Sequence, residues 1–197
     1  MSLYDSPEEL WFSYWLKEVQ EAGYINSFVS HPEPFLLSPA FFYSYDKALK
    51  TKVKTLETNL LSPHIYTADY SVYWHKNARG IFWNSISDRV QLKSIPFVAQ
   101  EIPDGNNNYY SIIEVKAGFS KFHAGREFSI NAKWVMQKFG VYVNKVIISN
   151  KTGLFKDTFT PKKYLLTDKS KQNRKLHFEP RTLEEFIKGQ ASPPLRG

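Results

Sequence analysis

Ten residues in the middle of the chain, Tyr109-Tyr110-Ser111-Ile112-Ile113-Glu114-Val115-Lys116-Ala117-Gly118, constrain the fold more than any other stretch. β-Branched and aromatic residues dominate them, Asn106-Asn107-Asn108 precede them and Gly118 follows, which predicts a β-strand. Side chains alternate across a strand, so Tyr110, Ile112, Glu114 and Lys116 share one face. A carboxylate and an ammonium therefore lie on a face that otherwise reads as core. Burying charge costs several kcal/mol unless it is paired, hydrogen-bonded or bound to metal. Either Glu114 and Lys116 pair at the solvated end of an edge strand, or they belong to a site.

The flanking elements favour a sheet with a crossover. After a loop at Phe119 to Gly125, Arg126 to Lys138 reads as a helix stopped by Gly140, and Tyr142 to Ser149 as a strand. Strand, helix and strand at this spacing predict a parallel pair, hence a mixed sheet. Upstream, Ser6-Pro7-Glu8-Glu9 starts a helix, with Ser as N-cap, Pro at the first position and Glu9 closing a capping box. That helix should run to Ala22, with Phe12, Leu16 and Val19 on one face and Glu9 extending that face by a turn. Short strands are expected at Phe35 to Leu37 and at Phe41 to Tyr45. Lys47 to Leu61 fits helix or strand, its second half better a strand.

His64 to Trp74 reads as one strand carrying Asp69 between apolar flanks. Asp is depleted in strands, so it marks either a wet bulge or edge, or a functional acid. Residues 75 to 108 form a long polar and aromatic excursion. Thr182 to Lys188 predicts a short helix, and Gly189 to Gly197 a flexible tail.

Charge is concentrated late in the chain. The formal net charge is +7, and residues 151 to 176 carry eight cations against two carboxylates. Lys162, Lys163, Lys169, Lys171, Arg174 and Lys175 are among them, interleaved with Phe155, Phe159 and Tyr164. This is either a solvated basic loop or a phosphate-binding surface. The absence of cysteine excludes disulfides, thiolate metal sites and cysteine nucleophiles. There is no signal-peptide pattern and no run of apolar residues long enough to span a bilayer. A cytoplasmic protein without membrane partners is therefore expected. Phosphate-loop, dinucleotide and nucleophile-elbow motifs are missing. The five histidines lack metal-site spacing and read as core or surface residues.

An acid on a first helix, an Asp on a strand, Glu-x-Lys on the next core strand, then a helix and a strand: in this order the chain resembles the PD-(D/E)xK nuclease superfamily. The matching elements are Ala68-Asp69 and Glu114-Val115-Lys116, with Glu9 or Glu8 as the upstream acid. Ala68 stands where the pattern has Pro, and 45 residues separate Asp69 from Glu114. An insertion over 75 to 108 could then be a DNA-contacting hairpin, a lid or a dimer arm. The resemblance implies an α/β fold with a restriction-endonuclease-like core, a mixed central β-sheet flanked by helices, over residues 1–180. It implies a DNA endonuclease of phage or mobile-element type, including junction-resolving enzymes, with a homodimer left open. Asp69, Glu114 and the Val115 carbonyl would hold Mg2+ or Mn2+, Lys116 would activate water, Glu9 would complete the shell and Lys133 would contact phosphate. The alternatives are a non-catalytic nucleic-acid-binding protein on the same fold and an interaction subunit whose basic segment meets an acidic partner.

Overall fold

The computed structural model describes residues 4–89, 95–103, 107–117, 123–148, 153–166 and 179–191. In chain order the elements are helix α1 (Pro7–Glu21), strands β1 (Ile25–Ser30), β2 (Phe35–Ser38), β3 (Phe41–Ala48), β4 (Val53–Leu61), β5 (His64–Tyr66) and β6 (Tyr70–Trp74). A single 3-10 turn (Lys76–Ala78), β7 (Trp83–Asn84), α2 (Ile86–Arg89), β8 (Phe97–Val98) and β9 (Gln100–Glu101) lead to β10 (Tyr109–Ala117). Then come α3 (His123–Phe139), β11 (Val143–Ile148), α4 (Leu154–Asp157), α5 (Lys162–Leu165) and α6 (Leu183–Ala191).

The central sheet has the order β1-β6-β10-β11 and is mixed: β1 with β6 and β6 with β10 are antiparallel, β10 with β11 parallel. On one edge β10 pairs with β6 over Tyr109 to Ile113. On the other it pairs first with β9 and then, from Ile112 to Ala117, with β11. The parallel pair requires the crossover that α3 supplies. Among the described residues no helix is long and apolar enough to cross a membrane.

Two apolar layers cover the sheet. Phe12, Trp15, Leu16 and Val19 of α1 pack on Tyr70, Val72, Ile113, Val115, Val146 and Ile148. On the opposite face Val135 of α3 packs with Ile112, Val143, Leu37, Tyr66 and Ala68. The alternation of β10 is thus real: Ile113 and Val115 point to α1, Ile112 and Glu114 to α3.

Three expectations change. The single strand expected over His64 to Trp74 is two strands in two sheets, since β5 pairs with β2 and β6 with β1 and β10. In an unbroken strand Tyr66 and Tyr70, four residues apart, would face the same way. They lie instead in the two opposite apolar layers, so the backbone turns over at Thr67-Ala68-Asp69.

The described part of the 75 to 108 segment is core, not a projecting hairpin. Ala78, Phe82, Trp83, Phe97, Val98 and Ala99 are all buried, and Trp15 packs edge-on against Phe82 at 5.5 Å. The buried Asn144 amide fixes this segment to the sheet: its Oδ1 accepts the Val98 N–H at 2.8 Å, and its Nδ2 donates to the carbonyls of Val98 and Ile112. The projecting hairpin is β3–β4, upstream of Asp69, where every residue is exposed except the half-buried Leu56.

Likewise Phe155, Phe159 and Tyr164 are buried rather than displayed for stacking. Phe159 stacks on Trp15 at 5.3 Å, and Tyr164 meets Trp11 and Phe155 edge-on. Gly153 permits the turn into α4. Its φ is +86°, and a Cβ there would stand 2.3 Å from the Ile147 carbonyl oxygen, so no other residue fits. The helix expected over Thr182 to Lys188 runs on to Ala191, so the first three residues of the expected tail are helical. Residues 192–197 and 167–178 lie outside the described residues, and with them Lys169, Lys171, Arg174 and Lys175.

Candidate functional site

The site forms where β6 stops pairing with β10. The last registered pair is Tyr70 with Ile113, while β10 runs on to Ala117. Beyond that point this edge of β10 has no strand partner among the described residues, and a side chain takes its place. Asp69 Oδ2 accepts the Val115 N–H at 2.6 Å. Its own backbone carbonyl accepts the His31 N–H at 2.9 Å. The turnover of the chain at Thr67 to Asp69 therefore sets Asp69 in the plane of the sheet, against the residue between Glu114 and Lys116.

Glu114 projects from the face covered by α3 and is 8% exposed. Both of its oxygens have donors. The Tyr66 hydroxyl donates to Oε2 at 2.7 Å, and Lys116 Nζ donates to Oε1 at 2.5 Å. The expected pair thus exists, and although among the described residues β10 is paired on one side only at this point, the carboxylate is not solvated, because Tyr66 covers it. Burial, then the Glu114 charge and the hydrogen bond to it, push the Tyr66 hydroxyl far above its ordinary value, so Tyr66 stays a donor. Val115 meets Asp69 through its N–H, and its carbonyl lies on the same edge of β10, because the N–H and C=O of one strand residue point the same way.

Asp69 is the perturbed group. Its carboxyl is pushed up from 3.8 to about 7, chiefly by burial and then by the Glu114 charge. The Val115 N–H and Lys116 pull it down, Glu9 pushes it up further, and the upward pressures win.

Glu9 is buried at the N-terminus of α1, where a variant of the capping box forms, its returning bond taken from the Asp5 N–H. The Ser6 hydroxyl accepts the Glu9 N–H at 3.2 Å and donates to Glu9 Oε1 at 2.8 Å, and the Asp5 N–H donates to Oε2. The Tyr70 hydroxyl donates to the Glu9 carbonyl at 2.9 Å, which ties α1 to β6. Glu9 is near enough to act on the Asp69 charge, yet its carboxylate groups with Asp5 and His31, whose ligand atoms all lie within 4.8 Å of one another. His31 Nε2 is 3.6 Å from Glu9 Oε2 and 3.4 Å from Asp5 Oδ2. Sequence reasoning passed over both Asp5 and His31. The one local sign for His31 is the following Pro32, and its φ of +50° with an N–H on Asp69 could not be read from the chain.

The basic residues take other positions. Lys133 is exposed on α3, beside a groove that Phe128, Met136, Tyr142 and Val143 line. Lys162 and Lys163 are exposed on α5 against α1. The Lys162 N–H donates to Glu18 Oε2, and Lys163 Nζ sits 4.7 Å from the centre of the Tyr14 ring.

No family model matches the chain, and no curated protein or solved structure matches it either.

Proposed function

We propose that the chain is a metal-dependent DNA endonuclease of the PD-(D/E)xK type, on a restriction-endonuclease-like core. The observation that carries this reading is the hydrogen bond from the Val115 N–H to Asp69. It joins an acid at a strand end to the backbone between the Glu and the Lys of Glu-x-Lys on the neighbouring strand. The acid-bearing first helix, the following helix α3 and the parallel strand β11 stand in the order the resemblance implies.

The donor set fits a hard divalent cation. Asp69 and Glu114 offer carboxylate oxygens, the ligand type that Mg2+ and Mn2+ take. Mg2+ or Mn2+ there would neutralise phosphate oxygens and make water a better nucleophile near neutral pH. Asp69 and Glu114 would hold it. Lys116, already on Glu114, would orient water and offset negative charge developing on the phosphate. Tyr66 fixes the second oxygen of Glu114 from behind. Glu9 tunes the site through its charge on Asp69. Lys133, Lys162 and Lys163 would meet DNA phosphates away from the reacting centre.

The test is cleavage of supercoiled plasmid, linear duplex and four-way junction with Mg2+ or Mn2+. Cutting by the native chain should vanish in Asp69→Asn and in Lys116→Ala. Cleavage retained in either variant would sink the assignment. Linear product appearing without a nicked precursor would point to a homodimer with two sites.

One observation favours a second reading. Both Glu114 oxygens are already engaged, as in a purely structural buried pair. A nucleic-acid-binding protein on this fold would bind steeply with falling salt, and Glu114→Gln and Mg2+ would leave its affinity unchanged.

A further inference from the structure

The β3–β4 hairpin has no role in the site just described, yet among the described residues it exposes Phe41, Phe42, Tyr43, Tyr45, Val53, Leu60 and Leu61. Residues directly opposite each other in an antiparallel ribbon share a face. The register pairs Tyr43 with Thr58, Tyr45 with Leu56 and Lys47 with Lys54, which places all six on one side. The other side carries Phe42 with Asn59, Ser44 with Glu57, Asp46 with Thr55 and Ala48 with Val53.

The ribbon is therefore two-sided. One face has stacked tyrosines, Tyr43 and Tyr45 with ring centres 6.3 Å apart, followed by two lysines. The other holds both carboxylates of the hairpin, with Asp46 accepting from the Thr55 hydroxyl at 2.7 Å. The turn adds Lys50 and Lys52, so four of the eight residues from Lys47 to Lys54 are lysine. Lys47 opposite Lys54 is a like-charge pair that weakens an isolated ribbon, and an external anion would relieve it.

We propose that this ribbon is a duplex-DNA-binding arm that lays its Tyr43–Tyr45–Lys47–Lys54 face into a groove of the double helix. The inference rests on the nucleic-acid reading of the Asp69–Glu114–Lys116 site. A two-stranded ribbon fits the major groove. Lysines flanking the groove neutralise phosphates, and the tyrosines present rings and hydroxyls to sugars and bases. A second copy of the chain is the poorer occupant, because packing two such tips together opposes eight lysines. The arm is also joined to the site. β4 leads directly into β5, whose Tyr66 holds Glu114.

The test is fluorescence anisotropy of a labelled duplex in EDTA, where no cutting occurs. Three variants are compared with the native chain: Lys47, Lys50, Lys52 and Lys54 all to Gln; Tyr43 and Tyr45 to Ser; and, as a charge-matched control, Lys17, Lys76, Lys156 and Lys188 all to Gln. The arm lysine variant should lose at least about tenfold in affinity near 0.1 M salt, and its slope of log K against log salt should fall by about 3 to 4. The tyrosine variant, which keeps every charge, should also bind more weakly. The control should lose much less. All the arm positions are exposed, so the thermal midpoint should not move.

Equal losses in arm and control variants would overturn the proposal. So would a native dimer that becomes monomeric in the arm variants with DNA affinity unchanged, or polyglutamate competing as well as duplex. Arm-dependent binding by a chain that cuts no DNA with any divalent metal would support the arm and remove the nuclease reading.

Discussion

Asp69→Asn should make the protein more stable above pH 7, and by an amount that depends on pH in a defined way. The folded chain holds the Asp69 carboxyl at about 7 against 3.8 for a free side chain. Keeping it ionised in place costs about 4 kcal/mol by the usual conversion of pKa to free energy. Below pH 4 both states are protonated and the group is neutral to stability in this respect. Between about 4 and 7 the folded state keeps a proton that the unfolded chain releases. Stability from this group is therefore complete at low pH and is lost as pH rises through the folded value. Asparagine mimics the protonated acid and keeps an oxygen for the Val115 N–H. The gap between variant and native chain should open at about 1.4 kcal/mol per pH unit and level off near pH 7. For a chain of 197 residues the plateau corresponds to a rise of about 10 °C in thermal midpoint. Urea denaturation from pH 4 to 8, in EDTA, measures it. A variant destabilised by the same amount at every pH would refute the reasoning, because the contact would then outweigh the charge. Millimolar Mg2+ at pH 8 should raise the midpoint of the native chain and not that of the variant, since only ionised carboxylates bind it.

Other substitutions probe the supports of the site. Tyr66→Phe takes the donor from Glu114 Oε2 and should cost about 1.5–3 kcal/mol, the range for a hydrogen bond to a charged group; chemical denaturation reads it. Asn144→Ala leaves the buried Val98 N–H without its acceptor and takes one donor from each of the Val98 and Ile112 carbonyls, the first of which keeps the Ser111 hydroxyl. It should cost about 3 kcal/mol and speed hydrogen exchange at Val98 before it does so in α1. Gly153→Ala forces a Cβ into the Ile147 carbonyl at a left-handed φ, so thermal melting should show a loss of at least about 1–3 kcal/mol. A variant that melts like the native chain would mean that the turn into α4 can shift.

The parts of the fold legible in the sequence are those fixed by short-range chemistry. Ser6, Pro7 and Glu9 specify the start of α1 through bonds spanning three or four residues. The alternation of β10 and the helix after it specify a parallel crossover, because only a few geometries return a chain to the same sheet. The position of the exposed hairpin is not legible in the sequence, because aromatic content does not say which rings find partners in the core. Phe82, Trp83 and Phe97 look no more apolar in sequence than Phe41, Phe42 and Tyr43. The first three meet Trp15, Trp74 or Tyr109 from distant parts of the chain, whereas Phe41, Phe42 and Tyr43 remain exposed on the ribbon. The same logic hid Phe155 and Phe159 inside a segment that its lysines made look like solvated loop.

The site divides along the same line. Glu114 and Lys116 were legible because a strand's period of two fixes their common face whatever surrounds them. Asp69 was legible as an anomaly but not as a break. The turnover between Tyr66 and Tyr70 exists because β5 follows β2 out to the ribbon while β6 returns to the sheet, and no local residue preference encodes that choice. It is this break that leaves the β6-side edge of β10 open at Val115, which stays paired with Val146 on its other side, and brings a carboxylate to its N–H. The acid raised by burial and then by the Glu114 charge, and the ribbon upstream of it, thus have one structural origin. A chain that continued β5 straight into β6 would point Tyr66 and Tyr70 to one face and have neither. Inserting a single residue into Thr67-Ala68-Asp69 should therefore shift the Asp69 titration back toward ordinary values, and carbon-13 NMR of the carboxyl would follow it. An unchanged titration would show that burial alone, and not this break, raises the acid.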